Sequence, residues 1–421
     1  MRGTFRALRS RNYRLFFGGQ TLSLIGTWMQ SVAMSWLVYR VTGSEFLLGV
    51  VTFAQQIPMF LVSPLAGMYT DRVDRRKLLI LTQSLQAVQA LVLSVLVFVH
   101  AVKVWEIVVL SIFVGIVNAF DTPGRQAFVI EMVEHRDDLP NAIALNSTQF
   151  NIARLVGPAI AGGVIKVTGE GVCFLINAIS FLAVIGSLLL IRVAPRGPRV
   201  EATQAWGELV DGGRYVAGHR PILALLSLLA VVSLVSGSYQ VLLPAMAKEV
   251  YHGDSGTLGL LYGAVGAGAL VSAILLASRQ SVLGLTRWIV MASGVFSISQ
   301  ALFGLAPNFW LGCLALVGVG FGAMLHMGST NTMIQTMVED RMRGRVMAFY
   351  AMSFVGTMPI GSLITGAISK HVGPTPTLLG AGLLGLLATT VFGRYLPHIR
   401  RHIRPIYESK GILDPVIAKE E

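Results

Sequence analysis

The sequence predicts an all-α membrane protein of twelve transmembrane helices arranged as two pseudo-symmetric six-helix bundles. Three observations carry that prediction. Of the 421 residues, 54% are hydrophobic and only 13% charged, with a mean hydropathy of +0.67, a balance outside soluble globular usage. The apolar residues fall in long runs, and a helix of about 20 such residues crosses a hydrocarbon core with every backbone polar group satisfied internally. The alternating ten-residue segments of a membrane barrel are absent from this pattern. Finally, parts of the second half repeat the first.

Taken in order, the runs place spans at 14–39, 46–69, 78–100, 104–124, 140–165, 170–191, 221–247, 256–278, 287–306, 308–330, 345–369 and 374–396. A basic leader (Arg2, Arg6, Arg9, Arg11, Arg14) precedes the first. The run behind it is too long for a signal-peptide core and no small-residue cleavage site follows, so it reads as a mature helix. Spans two and three meet at Gly67 to Lys77, GMYTDRVDRRK, a knot of six charges between stretches 46–69 and 78–99 that hold none. Two helices therefore join in a tight hairpin. Residues 192–220 form the long polar interruption, with Pro195, Gly197 and Pro198 as breakers and Trp206, Leu209, Val210, Tyr215 and Val216 at the spacing of a short amphipathic surface helix. The expected division is a first bundle over 1–191, a linker over 192–220, a second bundle over 221–396 and a tail over 397–421.

The repeat is weak but localised. A shift of 204 sets Gly157, Gly162, Lys166 and Gly169 on Gly361, Gly366, Lys370 and Gly373; a shift of 205 sets Met132, Val133, Glu134 and Arg136 on Met337, Val338, Glu339 and Arg341. These matches fall in one loop-plus-helix unit, as a duplicated half requires. Orientation follows from the cations: 27 of the 33 Lys and Arg lie on the side of the termini, five on the other, and Arg154 lies within a span. Both termini are expected to be cytoplasmic. The net charge of +12 is thus a topology signal beside anionic lipid and not a nucleic-acid footprint.

Twelve spans in two related halves, with GxxxDRxxRRK between the second and third, resemble the major facilitator superfamily over nearly the whole chain. DTPGRQAF (Asp121 to Phe128), GPAIAGG (Gly157 to Gly163) and RGRVMAFY (Arg343 to Tyr350) look like the branch of the enterobactin exporter and related bacterial small-molecule exporters. That resemblance implies a secondary active transporter that rocks two bundles about a midplane site, exporting a small amphipathic or anionic molecule, siderophore- or drug-like, by proton antiport. It also implies a gating cluster of Gly67, Asp71, Arg72, Arg75, Arg76 and Asp121. Gly67 lets helix 2 approach a neighbour, Asp71 faces the start of helix 11 near Arg345, and Arg75 reaches Asp71 and Asp121. Asp74 stands where Gly is usual in the family.

Helix 5 carries Gly157, Pro158, Gly162 and Gly163, a thin face for close packing with one hydrogen bond lost at Pro158. Arg154 stands ~20 Å into that helix at ~1.5 Å per residue, where an unpaired charge is costly. No carboxylate is expected at that depth, since Asp121 reads as the inner end of helix 4. Arg154 either binds an anionic substrate or hydrogen-bonds Gln149, Asn151, Asn177 or freed carbonyls. Gln30, Gln55, Asn118, Gln149, Gln240 and His326 are the other cavity candidates, with Trp28, Trp36 and Met324 as soft surface.

Gly263, Gly266, Gly268 and Gly318, Gly320, Gly322 imitate nucleotide fingerprints but lie in membrane helices without a preceding strand. No phosphate-binding loop with its Lys, no metal cluster and no nucleophile–base pair is found in the sequence, and Cys173 and Cys313 suggest neither a disulfide nor a metal site. No enzyme activity, cofactor or nucleic-acid partner is expected; the expected partners are a small-molecule substrate, membrane lipid and protons, for a monomer in a bacterial-type inner membrane. Proton carriage falls to Asp121 or His326. The alternatives are a lipid or lysophospholipid transporter on the same fold and a non-transporting scaffold or receptor.

Overall fold

The computed structural model describes residues 5–70, 72–192, 205–279 and 281–409. The first sequence half folds as α1 (Arg11–Thr42), α2 (Glu45–Thr70), α3 (Arg75–Phe98), α4 (Val104–Met132), α5 (Leu139–Thr168) and α6 (Glu170–Leu190). A short α7 (Ala205–Gly218) follows. The second half folds as α8 (Arg220–Val250), α9 (Ser255–Ala277), α10 (Leu285–Leu305), α11 (Phe309–Met337), α12 (Asp340–Val372) and α13 (Pro374–Ser409). Below, each helix has a basic end, on the side rich in Lys and Arg, and a distal end.

Among the described residues, eleven helices are long and apolar enough to span a membrane. The twelfth, α1, has the length at 32 residues but not the apolarity, because Gln20, Ser23, Thr27, Gln30 and Ser31 interrupt it. Those side chains line an internal cavity, so α1 need not be apolar all round. The larger departures from expectation are at helix ends. Helix α4 continues to Met132, α11 to Met337 and α13 to Ser409, past the expected 124, 330 and 396, so the first part of the expected tail is helical. Pro123 and Gly124 read as a terminator, yet in a membrane helix the one bond that Pro123 forgoes, to the Ala119 carbonyl, is tolerated. Asp121 and Arg125 are therefore inside a helix and not at its end.

The duplication is plain in the fold. Helices α4 and α11 are both 29 residues long and begin and end 205 positions apart. Ten of the eleven buried positions of α4 recur as buried positions of α11 at that offset. Gly169 and Gly373 close α5 and α12, each at φ +85°, a left-handed conformation that glycine adopts without a side-chain penalty.

Packing divides the chain into two compact units. The first gathers Met1–Glu201, Val241–Gly266 and Ser362–Pro374; the second gathers Ala202–Gln240, Ala267–Gly361 and Thr375–Glu421. Distal portions of α8, α9 and α12 thus belong with α1–α6. At the basic end of the first unit, Tyr13, Phe16, Leu79, Phe128, Met132, Val184 and Leu188 form a buried core. In the second unit α7 lies against the start of α12: Gly212 and Gly213 face Arg345 and Phe349, and Arg345 pairs with Asp211 at 3.3 Å. The Trp206 and Leu209 side chains lie outside the described residues.

Candidate functional site

Six helices of the first unit line a cavity of about 290 Å³, and all but α5 turn polar side chains into it. In α3 the spacing Gln83, Gln86, Gln89 puts three carboxamides on one face. With Gln20 and Gln30 of α1, Gln55 of α2, Asn118 of α4 and Asn177 of α6, eight carboxamides line the space. Some bind one another: Asn177 Nδ2 donates to Gln30 Oε1 at 2.8 Å and Gln30 Nε2 to Gln89 Oε1 at 3.0 Å. In others one end, Gln20 Oε1, Gln83 Oε1, Gln86 Nε2 and Gln89 Nε2, is buried without a partner among the described residues. Buried polar groups are ordinarily satisfied, so such a set is ready for a ligand rich in donors and acceptors.

Asp121 stands in this cavity, ~26 Å along α4 from its distal end and ~17 Å from its basic end at ~1.5 Å per residue. It is 3% exposed. Thr82 Oγ1 and Gln83 Nε2 each donate to Oδ1 at 2.8 Å, and Arg125 Nε lies 3.8 Å from Oδ2. Asp121 thus lies well inside its helix and not at its inner end, contrary to the sequence expectation, because α4 runs on to Met132. One wall is aromatic: Trp28 and Phe150 meet edge to face at 5.7 Å, and the Arg154 guanidinium lies over the Trp28 ring at 5.7 Å. Of the groups proposed to hold Arg154, Gln149 donates to the Phe17 carbonyl and Thr21 Oγ1, Asn151 to the Ser147 carbonyl and Asn177 to Gln30. Gln149 thereby ties α5 to α1 and does not line the cavity.

Of the charged hairpin, Asp71 lies outside the described residues. Arg75 Nη1 donates to Glu131 Oε1 at 2.6 Å. Glu131 was missed from the sequence because it falls beyond the expected end of helix 4. Arg76 donates to the carbonyls of Leu188 and Leu189 at 2.6 and 2.7 Å and so caps the end of α6. Arg72 is exposed. Gly67 was expected at a close helix contact; among the described residues nothing lies within 4 Å of where its Cβ would stand.

The distal end is built on close backbone crossings. A Cβ on Gly162 would lie 2.8 Å from the Ser255 carbonyl oxygen, and one on Gly259 would lie 2.6 Å from that of Pro158. The repeat produces the same pair elsewhere: Gly366 against the Glu45 carbonyl at 2.6 Å and Gly49 against that of Ser362 at 2.7 Å. So α5 crosses α9 as α12 crosses α2. Gly157 instead packs on Trp28 and Ile25 of α1, and Gly163, expected on the packed face, has nothing within 4 Å of its Cβ position among the described residues. Lys166 Nζ reaches Asp254 Oδ2 at 2.9 Å, holding that carboxyl below its ordinary range. Tyr39 donates to Glu249, and Arg40 pairs with Glu170 at 2.7 Å. In the second unit Gln240 Nε2 lies 3.3 Å from the Tyr239 hydroxyl, and His326 is buried in α11.

The model of the family described as transmembrane secretion effector matches residues 2–404. The chain belongs to that family, a branch of the major facilitator superfamily, and is a multi-pass membrane transporter. It is 26% identical over 384 residues to the staphyloferrin A transporter of Staphylococcus aureus, covering 90% of this chain and 95% of that protein. It is 22% identical to macrolide efflux protein A of Streptococcus pyogenes, covering 89% and 94%, and 24% identical to the enterobactin exporter of Citrobacter koseri, covering 93% and 94%. Among solved structures, a POT family transporter in complex with a thioalcohol-conjugated peptide superposes with a TM-score of 0.74 at 13% identity, covering 92% of this chain and 96% of that one. The nucleoside transporter NupG gives 0.71 at 13% identity, covering 90% and 99%.

Proposed function

We propose that this transporter is a secondary active exporter of a small, acceptor-rich or anionic molecule of siderophore or drug type, driven by proton antiport. It works as a monomer in a bacterial inner membrane, with both termini cytoplasmic and the two sequence halves, 1–191 and 221–396, as its moving bodies. The observation that carries this reading is the carboxamide cavity with Asp121 inside it. Amides offer both donors and acceptors without fixed charge, which suits hydroxylated and carboxylated ligands of varied shape. Arg154 over Trp28 adds a cationic, flat surface for an anionic or aromatic part. A polar cavity of this kind does not suit a lipid tail.

The roles follow from position. Asp121, with Arg125 beside it, takes the transported proton in the first half. Gln30, Gln55 and Asn118 contact substrate. The glycine crossings, Lys166–Asp254 and Tyr39–Glu249 close the distal side, and Arg75 with Glu131 and the hairpin charges steadies the basic side. The test is transport by the purified protein in liposomes under an imposed pH gradient, offering staphyloferrin A, enterobactin or a macrolide, with a fluorescent lipid analogue as comparison. Gradient-dependent movement of at least one of the first three is the expected result. Movement of the lipid analogue alone, or of none, would overturn the proposal.

A further inference from the structure

The duplication has a chemical consequence at its best-matched pair of helices. At the offset of 205 that superimposes the ends of α4 and α11, Asp121 falls on His326. Each is the one acidic or basic side chain among the buried residues of its helix, and each lies at the same register, 17 residues from the distal end and 11 from the basic end. The neighbours have diverged: Gly124 and Arg125 of α4 correspond to Ser329 and Thr330 of α11. Where the first half has an acid and its cation, the second has an imidazole and two hydroxyls.

The surroundings of His326 are those of a group awaiting a partner. It is 1% exposed, and Ser329 and Thr330, on the next turn toward the basic end, are fully buried. Both ring nitrogens and both hydroxyl oxygens lack a hydrogen bond among the described residues. The ring sits beside the Ile289 carbonyl of α10, which already accepts from Ser293 at 2.8 Å. Asp340 of α12 is exposed and paired with Arg343. No acid occurs on α9, α10 or α11. Tyr262 of α9 and Cys313 of α11 are the other titratable groups of those helices, and Arg287 of α10 is exposed. Tyr350 of α12 donates to the Met327 carbonyl at 3.0 Å, and Arg400 of α13 donates to Thr286 at 3.3 Å. An imidazolium here would be buried with no acid on α9, α10 or α11 to pair it, which is costly.

We propose that His326 is the proton-carrying group of the second half, the counterpart of Asp121, exchanging its proton with the basic end through the hydroxyls of Ser329 and Thr330. This rests on the proton-coupled reading above but assigns a second, independent site. The imidazole takes one proton when its helix is wetted and releases it when α10 and α11 close on it. Closure therefore releases a proton, and pH biases the two states.

The experiment uses the full chain in liposomes with spin labels on Val167→Cys and Leu260→Cys, exposed distal positions of α5 and α9, in a Cys313→Ala background. Pulsed distance measurements from pH 5 to 8 give the ratio of short to long separations. One linked proton changes that ratio by at most about tenfold per pH unit. In the wild-type background the ratio shifts with pH; His326→Gln reduces the slope, and the double change with Asp121→Asn abolishes it. His326→Asp, which still titrates, restores a slope with its midpoint moved to lower pH, an outcome that a merely structural histidine does not give. Thermal unfolding reports whether each variant folds, and His326→Asn serves if Gln does not. A slope unchanged by His326→Gln or His326→Asn in folded protein overturns the proposal. Transport of staphyloferrin A, enterobactin and a macrolide is measured in the same liposomes. If none moves, the functional reading fails, while the distance slopes still decide the role of His326.

Discussion

Replacing Gly162 by Val tests the distal closure at the point where the structure leaves no room. The new Cβ would stand 2.8 Å from the Ser255 carbonyl oxygen and 3.1 and 3.2 Å from the Cα atoms of Gly256 and Gly259. All three are backbone atoms, so no side-chain rotation relieves the clash, and α5 must part from α9. Overpacking of this kind costs ~1–3 kcal/mol, which shifts a two-state ratio by roughly 5- to 150-fold. Gly163→Val is the control, because nothing among the described residues lies within 4 Å of its Cβ position while its effect on helix propensity is the same. In the doubly spin-labelled Val167→Cys/Leu260→Cys protein, Gly162→Val should move the population to the longer separation and Gly163→Val should not. Equal behaviour of the two variants, with both folded, would refute the reasoning that backbone contact at this crossing sets the closed state.

Three further outcomes follow from the same geometry. Arg76→Ala should lower stability by ~1–3 kcal/mol, because it strips the carbonyls of Leu188 and Leu189 of a charged donor; thermal unfolding in detergent reads this, and Arg76→Lys, with one nitrogen in place of a fork, should recover only part. Removal of Arg75 and Glu131 singly and together should show a coupling of roughly 1.5–3 kcal/mol, since the pair is 2.6 Å apart with side-chain exposures of 22% and 11%; additive losses would mean that the contact is incidental. The third concerns Asp254, whose carboxyl is held below its usual range first by the Lys166 hydrogen bond. A depressed carboxyl contributes stability above its unfolded value near pH ~4 and loses it only as pH falls through the lower one. The Lys166–Asp254 contact should therefore not vary between pH 5 and 8, and the distance slope over that interval should be the same with Asp254→Asn.

Most of the architecture was legible in the sequence, and the exceptions have physical causes. Apolar run length located the spans because lipid permits little else. It failed at Pro123–Gly124, a terminator in water that a membrane helix absorbs, and that one misjudged boundary hid both the depth of Asp121 and the existence of Glu131. The polar residues of α1 read as a mild interruption; their periodicity against Gln83, Gln86 and Gln89 becomes meaningful only once α1 and α3 face each other. Glycine is the least legible residue here. Gly162 and Gly163 are adjacent and chemically identical, yet one touches a neighbouring backbone and the other faces open space, because successive residues of a helix point about 100° apart. The repeat, weak as sequence, is strong as structure, since α4 and α11 share length and burial where they share few residues.

The central claim is that transport is coupled to protons through the carboxylate in the first-half cavity. The most direct measurement is pH-gradient-driven uptake into inverted vesicles, wild type against Asp121→Asn, with expression and folding matched. The account predicts that uptake falls to the level of empty vesicles and no longer responds to the gradient. Uptake by Asp121→Asn that matches the wild type in rate and in gradient dependence would contradict it.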